Sequence, residues 1–255
     1  MNYGLYMSAA GAMTNHYRQD VYANNLANVE TAAFKPDLPT IKQRDPQRIE
    51  RDHGFDVSQR LLERLGGGVL AGPQHIDFSA GPMRQTDNPL DVALPEDDTF
   101  FTVGVGEDEL RLTRDGRFTR AGDGQLVTVT GHPVLDVNDQ PIVLNTDAPA
   151  GVTGDGRVVQ GDQTVAQLGV WHVADTSRLS KQAANLFAFE GGDPRQLPAR
   201  PQLQPGFIEA SGVNPIASMM AMISASKAAI GNTELIRYQD VMMDQAVNTL
   251  GRIRA

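Results

Sequence analysis

Hydrophobic and polar positions change rhythm twice along the chain. From Gly4 to Val29 apolar residues recur at helical spacing: Leu5, Tyr6, Ala9, Ala12, Met13, His16, Tyr17, Ala23 and Ala27 share one broad face. Thr14, Asn15, Arg18 and Asn25 fall opposite, with Asp20 the misfit. Asn24, Asn25 and Asn28 fit the end of this helix, since asparagine tolerates the left-handed backbone that ends helices, and Pro36 prevents continuation. The rhythm returns at Asn214-Pro215, a capping side chain followed by proline where a missing amide costs nothing. Ile216, Ile223 and Ile230 recur every seven residues, then Ile236, Met243 and Leu250 repeat in a frame shifted by one. Met219, Met220, Val247 and Ile253 fill the turns between. A seven-residue apolar repeat keeps a seam against a partner by supercoiling, so the pattern predicts a coiled coil, with a stutter or a change of partner at Gly231.

Between the ends the period shortens. Phe100–Val105, Leu126–Thr130, Ile142–Leu144 and Val165–Val173 read as strands, and Asp115-Gly116, Asp123-Gly124 and Asp155-Gly156 as type I′ hairpin turns. Proline and glycine support the division: none of the 15 prolines precedes Pro36, and only Pro215 follows Pro205. Residues 35–79 have the mixed composition of an extended linker, with a short helix over Val57–Leu65 and a flexible joint at Gly66–Gly68. The fold class predicted is α+β. Residues 1–34 and 206–255 form a terminal helical assembly domain whose helices pair as a coiled coil, 35–79 a linker, and 80–205 an outer all-β domain.

The chain has 255 residues and a formal charge of −9, and lacks the clustered Lys and Arg that nucleic-acid binding requires. Zero cysteines exclude disulfides, thiolate metal sites and thiol nucleophiles. No apolar run reaches the roughly 18 residues of a membrane span, and Met1–Gly11 lacks the layout of a cleaved secretory signal. These features predict a soluble chain that stays in the cytoplasm unless a signal-independent route exports it.

Candidate chemistry is thin. His16, His53, His75, His132 and His172 are scattered, without metal-ligand spacing. Glu96-Asp97-Asp98 and Glu107-Asp108-Glu109 lack the alternating spacing that wraps calcium and read as solvated loops. Gly104-Val105-Gly106 lacks the third glycine and following helix of a dinucleotide loop, and Ser211-Gly212-Val213 is no nucleophile elbow. We therefore expect no catalytic residue, metal or cofactor. A glycan hydrolase would need a carboxylate pair, for which Asp91 with Asp115 is the available guess.

What remains is two helices with more apolar surface than an isolated helix can hide. They read either as a hairpin within one closed monomer or as handles for copies and relatives. The second reading assigns an assembly interface to Leu5, Met13, Tyr17, Leu26, Ile216, Met220, Ile223, Ile230, Ile236, Met243 and Leu250.

Particular residues also resemble a known family. Gly4-Leu5-Tyr6, Ala23-Asn24-Asn25-Leu26-Ala27-Asn28-Val29 and Thr31-Ala32-Ala33-Phe34-Lys35 look like the amino-terminal signature of bacterial flagellar axial proteins, the rod and hook family. Pro89–Leu94, Thr113–Phe118 and Gly124–Val127 resemble its central motifs, and Gly206–Ser211 with Val213-Asn214 and Met222-Ile223 its carboxy-terminal one. Asn214-Pro215 with Ala217, and Gly131-His132-Pro133-Val134, look closest to proximal-rod subunits, with distal-rod or hook-type subunits the near competitor. The chain departs from the family at Ala33, where glycine is usual before Phe-Lys, so a positive φ there costs roughly 1 kcal/mol or more. Gly212 also replaces the usual asparagine, and Ala229–Asn232 an aromatic and acidic stretch. The resemblance implies a torque-transmitting structural subunit of the basal-body rod, and not an enzyme. It implies type III export without a cleaved signal, and helical assembly in the periplasm with copies of itself and other axial proteins. A chaperone that binds rod subunits without incorporation is the remaining alternative.

Overall fold

The structure is a computed structural model describing residues 3–45, 68–106, 109–145, 148–189, 195–196 and 202–250. The helix predicted over Val57–Leu65, the residues Gly66, Gly67, Glu107, Asp108 and Ile253, and the side chain of Leu250 lie outside the described residues. In chain order the elements begin with α1 (Tyr3–Ala27), β1 (Asp37–Leu38), β2 (Ile41–Gln43), β3 (Val69–Ala71), β4 (His75–Ile76), β5 (Met83–Gln85), β6 (Val92–Ala93), β7 (Thr99–Val105), β8 (Glu109–Thr113), β9 (Phe118–Arg120) and β10 (Leu126–Thr128). They continue with β11 (Ala150–Val152), β12 (Arg157–Gln160), β13 (Gln163–Gln167), β14 (Val170–Val173), β15 (Leu179–Lys181), β16 (Leu186–Phe189), β17 (Arg195–Gln196), β18 (Gln204–Pro205), β19 (Phe207–Glu209) and α2 (Pro215–Gln245). This is an α+β chain whose contacts gather into two units: Met1–Ala27, Asp37–His75 and Asn214–Ala255 in one, Asn28–Pro36 and Ile76–Val213 in the other.

In the helical unit α1 and α2 pack against each other along their length. Asn214 caps α2, its Oδ1 accepting the Ala217 amide at 3.1 Å, and Pro215 occupies the first turn. Gly231 does not interrupt the helix, which runs unbroken to Gln245 and closes in a single π turn over Ala246–Leu250. The two apolar frames lie on two faces of this one continuous helix. At the far end of α1, Asn25 is buried and acts as a surrogate strand partner. Its Nδ2 donates to the Asp37 carbonyl at 2.8 Å, and its Oδ1 accepts the Asp37 amide at 2.9 Å. Within the stretch read as a linker, β2 and β3 pair as an antiparallel ribbon, and β3 packs on α1.

The strand-rich unit centres on a six-stranded antiparallel sheet ordered β15-β16-β8-β7-β14-β17. Its central strand β7 is buried on both faces, which explains its nearly unbroken apolar sequence. Alternation sends Phe101 and Val103 into one core with Phe118, Leu126, Ile142 and Val170, while Phe100 packs with Phe78 and Phe187 in a second. The three rings of the second core sit 5.2–5.9 Å apart, near edge-on or tilted.

Two of the three Asp-Gly pairs mark hairpins, joining β9 to β10 and β11 to β12. Gly124 and Gly156 have φ of 87° and 83°, but the aspartates before them do not share a positive φ. These loops are therefore not the type I′ turns predicted. They end in one left-handed glycine, as bulged loops do. Asp115-Gly116 is not a hairpin turn at all, since β8 pairs with β7 and β16, and β9 with β10. Glycine is required at 116 because a Cβ there would lie 1.7 Å from the Val92 carbonyl oxygen.

Candidate assembly surface

The helix pair is antiparallel, and its contact is built from residues that carry little hydrophobic signal. Gly4 lies under the Gln239 amide and Gly11 under that of Asn232, so seven residues forward on α1 correspond to seven back on α2. A Cβ at either glycine would meet the amide nitrogen at 2.7–2.8 Å. On α2 the buried positions are Ala225 and Ala229; on α1 they are Ser8, Ala12, Thr14, Val21 and Asn25. Small residues let the two backbones approach closely, and the amide side chains fill what remains of the gap.

The apolar stripes consequently point elsewhere. At about 100° per residue, Ile216, Ile223 and Ile230 lie about 140–180° around α2 from Ala225. They are 69 %, 52 % and 58 % exposed, and Met220 is exposed beside them, whereas Met243, also exposed, lies on the Ala225 side of the helix. On α1 Met13 is 74 % exposed and Tyr6 is also exposed, whereas Thr14 and Asn25, read from the sequence as the outer face, are buried. Leu5, Tyr17, Leu26 and Ile236 are half-buried. None of the isoleucines of the first frame lies in the intramolecular seam. Sequence reading passed over Gly4, Gly11, Asn232 and Gln239, although each pair is spaced by seven and that spacing was visible.

A second concentration of chemistry lies inside the strand-rich unit, where Lys35, Arg114 and Glu209 meet with side-chain exposures of 0 %, 0 % and 1 %. Glu209 Oε1 accepts from Lys35 Nζ at 2.6 Å and from the Gly81 amide at 2.7 Å; Oε2 accepts from Arg114 Nε at 2.8 Å. Carbonyls accept from the other nitrogens of Arg114 and from the two remaining hydrogens of the Lys35 ammonium. Lys35 donates to Phe78 and Ser79, and Arg114 to Leu94, Glu96 and Thr99. Burial and the neighbouring Arg114 guanidinium hold the Lys35 ammonium below the usual lysine range, against the pull of Glu209. Beside this knot the chain crosses itself twice: the Ala33 amide donates to the Glu209 carbonyl at 2.9 Å, and the Gly212 amide to the Phe34 carbonyl at 3.0 Å. Ala33 adopts φ 55°, so the left-handed backbone persists without glycine.

The aspartates considered as a hydrolytic pair are engaged structurally. Asp91 accepts from Asn88 Nδ2 at 2.8 Å, and Asp115 is held by two bonds from Arg117 at 2.9 and 2.7 Å. Among the described residues no cluster of His, Asp and Glu could hold a metal ion, and no helix is long and apolar enough to cross a membrane.

Three segments of the chain match known families. Residues 5–35 match the flagella basal body rod protein family, 96–170 the flagellar hook protein FlgE/F/G D1 domain, and 204–249 the flagellar basal body rod FlgEFG protein C-terminal region. Over its whole length the chain is 30 % identical to the flagellar basal-body rod protein FlgF of Rhizobium meliloti (strain 1021), across 100 % of both proteins. The chain belongs to the flagellar rod and hook family. The FlgF of Caulobacter vibrioides is also 30 % identical, over 99 % of this chain and 100 % of the relative. The flagellar basal-body rod protein FlgG of Bacillus subtilis (strain 168) is 29 % identical over 96 % and 97 %. Members of this family are structural proteins, and the chain is a rod structural subunit rather than an enzyme. Each of the three residues of the buried knot comes from a different matched segment of this rod subunit.

Proposed function

We propose that this rod subunit polymerises through the outward apolar stripes of α1 and α2, and that the resulting axial shaft transmits torque. The observation that carries the reading is the direction of the stripes. Met13, Ile216, Ile223 and Ile230 remain open after the helix pair has formed, and Met220 widens the surface. Burying such surface is worth about 25 cal/mol per Å², and exposed stripes of this kind mark interaction sites. Neighbouring helices of other subunits supply the apolar partner, and coiled-coil packing belongs to these contacts, where a seven-residue repeat keeps its seam facing a partner. Repetition of one heterologous contact generates a helical filament, and many copies of it give torsional stiffness.

The partners in this reading are copies of the chain and other flagellar axial proteins, assembled in the basal body. Export by the flagellar type III apparatus without a cleaved signal, and a periplasmic position, complete it. Full-length likeness to FlgF supports a proximal-rod place; FlgG relatives of similar identity keep the distal rod as the competing assignment.

The test is Ile223→Asp. A carboxylate on this exposed face leaves the monomer folded but enters a desolvated contact on assembly. The variant is expected to match the parent in circular dichroism and Trp171 emission, to be absent from purified basal bodies, and to abolish motility. Normal incorporation and swimming would overturn the assignment.

A further inference from the structure

We infer that Glu209 is a closing latch for the strand-rich unit, which is stable only in a chain that brings the segment preceding α2 back onto the segment following α1. Three observations carry this. The first is charge: Lys35 and Arg114 are wholly buried, and among the described residues Glu209 is the one carboxylate within ion-pair distance of either. Without it two cations stand in a desolvated site with only neutral carbonyls as hydrogen-bond partners and Asp97 acting on Lys35 from beyond ion-pair distance, a far more costly state than a completed pair. The second is chain order. Lys35 and Glu209 are 174 residues apart and Arg114 and Glu209 are 95 apart, so both cations precede their partner far back in the chain and cannot be buried as a pair until the segment carrying Glu209 arrives. The third is position. Glu209 ends β19, five residues before the Asn214 cap of α2, and Lys35 follows α1 by eight. The same crossing carries the Ala33–Glu209 and Gly212–Phe34 backbone bonds, so the unit closes only around paired segments leading to both helices.

The device requires nothing from the helices' outer stripes and is independent of the polymerisation reading. It predicts that no folded strand-rich unit exists without the segment that ends in Glu209 beside the segment that carries Lys35. An incomplete chain stays open rather than presenting a finished outer unit with one helix missing.

The chain's single tryptophan, Trp171 in β14, reports on this unit directly. Two full-length variants test the latch by urea titration of Trp171 emission. Glu209→Gln keeps the shape and removes the charge; it is expected to lower the unfolding midpoint to less than half the parent value, or to give unfolded emission without denaturant. The triple variant Lys35→Met, Arg114→Met, Glu209→Leu removes all three charges, and is expected to recover a cooperative transition with a midpoint well above that of Glu209→Gln. A Glu209→Gln midpoint at or above half the parent value overturns the proposal. So does a triple variant no more stable than Glu209→Gln, since the site would then depend on shape and not on paired charge.

Discussion

The helical unit and the strand-rich unit treat apolar residues in opposite ways. In the strand-rich unit Phe100, Phe101, Leu112, Phe118 and Phe187 are fully enclosed, and even its charged residues at the centre are sealed and paired. In the helices the enclosed positions are alanine, serine, threonine, asparagine and one valine, while Ile216, Ile223, Ile230 and most methionines are exposed. The strand-rich unit therefore satisfies its own hydrophobic demand. The helical unit satisfies only its backbone and a narrow seam, and leaves most of its large apolar side chains exposed.

The comparison breaks first if the seam can be disturbed without consequence. Gly11→Leu forces a side chain into the space of the Asn232 amide, where even a Cβ sits at 2.8 Å. Overpacking of this kind costs about 1–3 kcal/mol. Thermal unfolding followed by helical circular dichroism should fall while Trp171 emission of the strand-rich unit keeps its midpoint. Equal loss in both signals would mean that the two units do not differ in the way described.

A smaller effect is expected at Ala33. Its φ of 55° costs an L-residue with a Cβ roughly 1–2 kcal/mol, partly offset by glycine's greater freedom in the unfolded chain. Ala33→Gly is expected to stabilise the strand-rich unit by about 0.5–1 kcal/mol in urea titration, and a loss of stability would remove backbone strain from the account.

The smallest effect concerns pH. Lys35 is held below the ordinary lysine value of 10.5 by burial and by Arg114, with Glu209 and Asp97 acting in the opposite sense. Between the lowered folded value and 10.5 the unfolded chain binds more protons than the folded one, so stability rises with pH through that window. The parent's denaturation midpoint should climb relative to Lys35→Met across it. Parallel curves would show that burial does not dominate at this lysine.

Helix positions were legible because proline-free stretches, the Asn214-Pro215 cap and heptad spacing are local signals. The strand-rich middle was legible for the same reason, from short β-type runs between turn residues. Which helix face turns inward was not. Hydrophobic periodicity finds the stripe that avoids water and cannot say whether a partner within the chain or outside it covers that stripe. Gly4 under Gln239 and Gly11 under Asn232 pack by shape, which leaves no trace in hydropathy. The second heptad frame reads as a stutter or a change of partner at Gly231, and the two frames lie on two faces of one continuous helix. Lys35, Arg114 and Glu209 each stood inside a segment that carried the family likeness, yet nothing local connects residues 35, 114 and 209. Their meeting is a property of the tertiary fold alone.

The absence of cysteine allows a direct test of which surface meets another subunit. Single cysteines are placed at Ile223, on the exposed stripe, and at Ala225, in the buried seam, and purified basal bodies are treated with a short maleimide–diazirine reagent and irradiated, so that the thiol adds to the maleimide and the photogenerated carbene inserts into whatever side chain lies beside it. The account predicts a covalent adduct to a neighbouring axial subunit from Ile223→Cys and none from Ala225→Cys. Adducts from Ala225→Cys with none from Ile223→Cys would contradict it.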